Sequence, residues 1–135
     1  MLKHILFLQI VFITIFGYSQ SPVSINYDAS KGLKSDVSYV IFSDSRGLIW
    51  AAPEGAGVAY FDGSGQNGFR HFTQKDGLCG NTIMGIGEDK NGNMWFGSQG
   101  YGISMFDGKK FTNYSVKDSV GLTNDISPAF LQHSN

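Results

Sequence analysis

The chain has 135 residues and a formal net charge of −1, with 10 Lys and Arg intermixed with 11 Asp and Glu. That is room for one modest domain, and it lacks the Lys/Arg run by which nucleic acid or an anionic membrane surface would be held. A single cysteine, Cys79, excludes an internal disulfide, and 18 glycines with 14% aromatic residues suit short strands cut by turns better than helices.

From the N-terminus, Lys3 and His4 lead into the apolar run Ile5 to Gly17, interrupted only by Gln9 and Thr14. Gly17 and Ser19 put small residues at the −3 and −1 positions of a cut before Gln20. The run counts 13 residues, short of the roughly 20 that span a bilayer. Residues 1–19 therefore read as a signal-peptide helix that is removed, with an uncleaved anchor as the alternative. Either way the rest of the chain is expected outside the cytoplasm, in the periplasm or beyond. Residues 20–31 read as a linker and lead-in.

From Gly32 the chain repeats itself at a spacing of 45. Gly32-Leu33 falls on Gly77-Leu78, Ile41 on Ile86, Asp44 on Asp89, Gly47 on Gly92 and Trp50 on Trp95. Gly55 and Gly57 fall on Gly100 and Gly102, and Phe61-Asp62-Gly63 on Phe106-Asp107-Gly108. A third start, Gly121-Leu122, follows 44 residues later. A period of this size built from short strands indicates propeller blades. Residues 32–76, 77–120 and 121–135 are read as repeat one, repeat two and the beginning of a third.

Each repeat reads as four strands. In the first they are Val37 to Ser43, Leu48 to Ala52, Val58 to Phe61 and Phe69 to Thr73. In the second they are Thr82 to Glu88, Asn93 to Ser98, Ile103 to Phe106 and Phe111 to Tyr114. Asp44 to Gly47 and Asp89 to Gly92 have the Asp and Gly of a type I turn, and Asp107-Gly108 signals a hairpin. Leu48-Ile49-Trp50 and Met94-Trp95-Phe96 do not alternate apolar with polar, as expected of strands covered on both faces. Trp50 and Trp95 are thus read as packing between blades. The expected fold is all-β: a partial β-propeller of about two four-stranded antiparallel blades plus the start of a third, after the signal-peptide helix. The residues that define it are Asp44, Gly47, Trp50, Phe61, Asp89, Gly92, Trp95 and Phe106.

No set of residues makes a convincing catalytic or metal centre. His71, on an outer strand between Arg70 and Phe72, has no orienting partner visible in sequence, and the three histidines lack metal-ligand spacing. Cys79 has no nearby His to activate it, and Glu54 and Glu88 read as solvated single acids. Asp89-Lys90-Asn91-Gly92-Asn93 has its glycine too early for a calcium loop. The glycine-rich stretch Gly97 to Gly102 continues into a strand, not the helix a phosphate cradle needs. No cofactor is expected, and no ligand-binding residue can be assigned.

The second repeat resembles the two-component regulator propeller repeat. The likeness lies in Gly77-Leu78, Ile83, Ile86, the run Asp89 to Gly97, Gly100, Gly102 and Phe106-Asp107-Gly108, and the first repeat follows with departures at Ser38, Ala52 and Pro53. The resemblance implies an extracytoplasmic sensing domain for a small-molecule or glycan ligand, such as an oligosaccharide, and the lack of a catalytic set makes the expected domain non-catalytic. In such proteins a β-sandwich, a membrane span and a histidine kinase or other output often follow; none is recognisable here. The alternatives are part of a periplasmic propeller enzyme, a lyase or hydrolase, or a nonfunctional remnant. Without its leader the chain holds about 2.6 repeats, whereas closed propellers take about 4 to 8 blades. The expectation is an N-terminal fragment of a longer protein, or a short protein that self-associates through open blade edges.

Overall fold

The computed structural model describes residues 26–63 and 68–115. The leader expected at 1–19 and the third-repeat start expected at 121–135 lie outside the described residues. Among the described residues there are eight strands: β1 Ser38–Ser43, β2 Ile49–Pro53, β3 Val58–Phe61, β4 Phe69–Phe72, β5 Ile83–Glu88, β6 Met94–Ser98, β7 Gly102–Phe106 and β8 Phe111–Tyr114. They form two antiparallel four-stranded sheets, ordered β1-β2-β3-β4 and β5-β6-β7-β8. All eight expected strands occur, each within one residue of its expected ends.

The turns explain this regularity. Gly47 N–H donates to the Asp44 carbonyl at 3.0 Å, and Gly92 N–H to that of Asp89 at 2.9 Å. Both glycines sit at positive φ, 84° and 81°, where a Cβ would be strained. The turn thus closes at a fixed offset and sets the register of the strands on either side.

Each sheet is preceded by a short 3-10 turn, Ala29–Lys31 capped by Asp28 and Gln74–Asp76 capped by Thr73. In the first, Ala29 N–H donates to Asp36 Oδ1 at 2.9 Å; in the second, Gln74 N–H donates to Asn81 Oδ1 at 2.9 Å. These pairs are also 45 residues apart. The structural repeat therefore reaches back to Asp28 and Thr73, ahead of the Gly-Leu pair.

The two sheets pack face to face, with β1 lying against β5. The shared core takes Trp50, Ala52 and Val58 from the first sheet and Ile83, Ile86, Met94, Phe96 and Phe106 from the second. The opposite face of the first sheet carries Ile41 and Ile49, 71% and 47% exposed. By the repeat, Ile41, Ile49, Ala51 and Phe61 correspond to Ile86, Met94, Phe96 and Phe106. The face that blade two turns toward blade one is thus the same face that blade one leaves open. Trp50 and Trp95 hold equivalent places, but only Trp50 lies between the two described sheets. Trp95 is half-buried on the far face of blade two, stacked on Tyr114 with centroids 5.7 Å apart.

Two polar contacts lock the blades together. The Glu88 carboxylate accepts from Ser45 N–H at 2.7 Å and Ser45 Oγ at 2.6 Å. Gly57 N–H donates to the Asn81 carbonyl at 2.8 Å. Glu88 is therefore an interblade clamp, a correction to its reading as a solvated acid: its partner comes from the neighbouring blade, which no local pattern reveals. Glu54 accepts from the Tyr39 hydroxyl at 2.6 Å on the exposed side of blade one.

Candidate functional site

The Asp and Trp that recur in each repeat are bonded to each other. Trp50 Nε1–H donates to Asp44 Oδ2 at 3.0 Å, and Trp95 Nε1–H to Asp89 Oδ2 at 2.9 Å. Asp44 Oδ1 also accepts from the N–H groups of Arg46 and Leu48, and Asp89 Oδ1 from those of Asn91 and Asn93. One carboxylate thus closes its turn with one oxygen and fixes an indole with the other. Asp44 is 5% exposed and is further held by Arg46 Nε and Nη2 at 3.1 and 2.7 Å.

Burial alone would raise both carboxyls, but the indole, side-chain and backbone donors outweigh it. Asp44 is held below the ordinary range, and Asp89 is lowered from 3.8 to about 2. A folded-state value below the unfolded one means stability that is full above the unfolded pKa and lost as pH falls through the folded pKa. Chemical denaturation from pH 6 to pH 2 should therefore show stability nearly flat to about pH 5, then falling between about pH 4 and pH 2. Asp89→Asn should remove part of that acid limb. An unchanged limb in that variant would show that the Asp89 carboxylate is not responsible.

His71 has a structural partner that sequence did not show. Its Nε2 lies 2.7 Å from the Gly32 carbonyl, which can only accept, so Nε2 carries the proton. The equivalent bond in blade two runs from Asn113 Nδ2 to the Gly77 carbonyl at 2.9 Å. In blade two Ser104 Oγ completes the arrangement, donating to Asn113 Oδ1 at 2.7 Å and accepting from Cys79 N–H at 2.9 Å. Blade one has Ala59 where blade two has Ser104, each paired in register with the clasping residue. His71 Nδ1 is accordingly buried without a partner. Burial lowers the His71 pKa most; the bond to Gly32 opposes this and the nearby charge of Lys34 adds to it. Ala59→Ser should give Nδ1 its donor and raise stability by about 1 kcal/mol in urea titration. A loss of stability would mean that the hydroxyl does not reach it.

Two concavities flank this framework. One, of about 210 Å³, lies between the blades at the end carrying the β1–β2 and β7–β8 turns, and is lined by Arg46, Trp50, Tyr60, Arg70, Phe106 and Lys109 among others. The other, of about 350 Å³, is a mainly apolar groove on the open face of blade one, lined by Tyr27, Ile41, Ile49, Ala51, Phe61 and Phe69 with Asn26 and Leu33. Phe61 there packs on Tyr27 and Phe69, with centroids 5.0 and 5.2 Å away, while its counterpart Phe106 is 8% exposed between the blades. Among the described residues no three His, Cys, Asp or Glu side chains are grouped so as to hold a metal ion.

Comparison with known proteins agrees with this geometry. Residues 77–100 match the family model described as two component regulator propeller. Among solved structures, the chain is similar to one described as the extracellular domain of a hybrid two component system from B. thetaiotaomicron, at 29% identity and a TM-score of 0.63. That likeness covers 78% of this chain and 14% of the other. No curated protein matches. Both sheets have the four-stranded antiparallel form of propeller blades, and the second carries the two-component regulator match.

Proposed function

We propose that this chain is a segment of an extracytoplasmic, ligand-sensing propeller that in the complete protein feeds a two-component signalling output. The observation that carries this reading is a two-component regulator repeat on blade two, in a fold shared with an extracellular domain of a hybrid two component system. The secretory leader read in residues 1–19 supports an extracytoplasmic location. Among the described residues no helix is long and apolar enough to cross a membrane. The non-catalytic reading is supported by where the polar groups are used: both repeat aspartates hold indoles, His71 holds a carbonyl, and Glu88 holds the neighbouring blade.

The open faces support a further part of this reading. Blade one offers the apolar groove that in blade two receives Trp50, and blade two offers Trp95 on its far side. A blade of the same repeat, from the complete protein or a second copy, fits both.

Two measurements test the reading. An alkaline phosphatase reporter fused after Asn135 should be active in cells, because that enzyme matures only outside the cytoplasm; an inactive, cytoplasmic fusion overturns the location. Thermal shift of the purified chain against neutral and charged mono- and disaccharides and amino acids should find at least one stabilising ligand. A ligand at a hundred times its dissociation constant adds about 2.7 kcal/mol to stability, a shift well above noise. A flat response across the panel overturns ligand sensing by these blades.

A further inference from the structure

We propose that the 210 Å³ cavity between the blades is a binding site for a single-ring organic monoanion, a ring bearing one carboxylate or sulfate group. The proposal rests on the sensing reading above and gives it a place and a ligand class.

The argument starts from the repeat. Positions where the two blades agree, such as Asp44 with Asp89 and Trp50 with Trp95, do the same structural work in both. Of the six blade-one residues that line this cavity only Trp50 recurs in blade two, and three of the five differences bring a guanidinium or a phenol. Arg46 faces Asn91 in the repeat, Tyr60 faces Met105, and Arg70, paired in register with Tyr60, faces Thr112, paired with Met105. Blade two shows that the sheet forms without these three side chains. In blade one all three converge on one cavity, in addition to the bonds of Arg46 to Asp44 and the packing of Tyr60 on Trp50.

The chemistry they present is specific. The Arg46 side chain is 51% exposed, and its bonds to Asp44 use Nε and Nη2, leaving the Nη1 hydrogens free of that carboxylate. Arg70 Nη1 donates to the Tyr60 hydroxyl at 3.4 Å, which leaves the phenolic O–H to donate into the cavity. Lys109 comes from the β7–β8 turn, whose Asp107 Oδ1 accepts its backbone N–H at 2.8 Å. The carboxylates set against these groups are Asp44, bound to Arg46, Asp62, whose charge acts on Arg70, and Asp107, whose one charge is shared by Lys109 and the adjoining Lys110. Four cations against three carboxylates leave one positive charge over, matching a monoanion. Guanidinium groups favour planar, multidentate acceptors such as carboxylate and sulfate.

The body of the ligand follows from the floor and the size. Phe72 and the edge of Phe106, with Tyr60 beside them, supply aromatic surface on which a ring can lie, above the fully buried Trp50. Pockets for drug-sized ligands run to roughly 300–1,000 Å³; at about 210 Å³ this one takes one ring with its substituents.

The test uses the full chain and isothermal titration with D-glucuronate, glucose, benzoate and sodium sulfate. Glucuronate should bind at least about tenfold more tightly than glucose and inorganic sulfate. Benzoate decides between a sugar ring and any flat ring with a carboxylate. The decisive variant writes blade two's residues into blade one, Arg46→Asn with Tyr60→Met and Arg70→Thr, and should fold with loss of anion binding of about tenfold or more. Retained anion binding in that variant overturns the site while leaving the sensing reading intact. No preference for the anions over glucose in the native chain also overturns it. If the native chain binds neutral ligands only, the sensing reading survives and this site does not.

Discussion

Replacing Trp50 by alanine should cost this protein about 3–5 kcal/mol of stability, and the same change at Trp95 only about 1–2 kcal/mol. Sequence gives the two residues the same position, and each indole N–H bonds an aspartate of its own turn. Their surroundings differ. Trp50 is fully buried, with ring centroids of Tyr60, Phe96, Phe72 and Phe106 at 4.9, 5.3, 6.3 and 6.4 Å. Its removal opens a cavity between the blades and strips a donor from Asp44, which is itself buried. Trp95 rests on Tyr114 and remains half-exposed, so its removal forfeits less apolar burial. The chain has two tryptophans, so each variant keeps one fluorescent reporter for urea titration. Equal losses would mean that the far face of blade two is covered as deeply as the interblade core, contrary to the packing described above. Trp50→Phe separates the two contributions, since it keeps a ring in the core and removes only the bond to Asp44.

This asymmetry marks where sequence was informative and where it was not. The Asp-to-Gly turns and the eight strands were legible because each depends on chemistry within a few residues. The equivalence of Trp50 and Trp95 was legible for the same reason. Their unequal burial was not, since the wall around Trp50 belongs to another blade. The clasp of His71 on Gly32 was hidden by a change of offset. Phe61 and Phe69 are eight residues apart, but Phe106 and Phe111 only five, so β4 and β8 correspond at a spacing of 42. At a spacing of 45 His71 never meets Asn113, and a histidine with a fixed structural partner looks unpartnered. Arg46, Tyr60 and Arg70 were passed over because they break the repeat. Only once the sheets are placed does the break point to a shared cavity.

Gly57→Ala should be among the most damaging single changes, costing at least about 3 kcal/mol. Gly57 sits at φ 79°, and a Cβ there would lie 2.1 Å from the Phe72 carbonyl oxygen and 3.3 Å from Thr73 Cα. Both neighbours are backbone, so relief requires β3 and β4 to move apart at the end where Val58 pairs with Phe72. That movement would carry the Gly57 N–H away from the Asn81 carbonyl, its 2.8 Å partner at the entry to blade two, and so loosen the junction between blades. Gly55→Ala is the control. It is also at positive φ, 66°, but its Cβ would meet nothing within 4 Å, so it should show only the conformational cost of about 1–2 kcal/mol. The difference between the two variants in urea denaturation isolates the steric part. The same comparison holds for Gly102, whose Cβ would fall 2.2 Å from the Tyr114 carbonyl oxygen, against Gly100, which has open space. If Gly57→Ala and Gly55→Ala lose stability equally, the close approach of β4 to this turn is wrong, and with it the geometry that seats blade two on blade one.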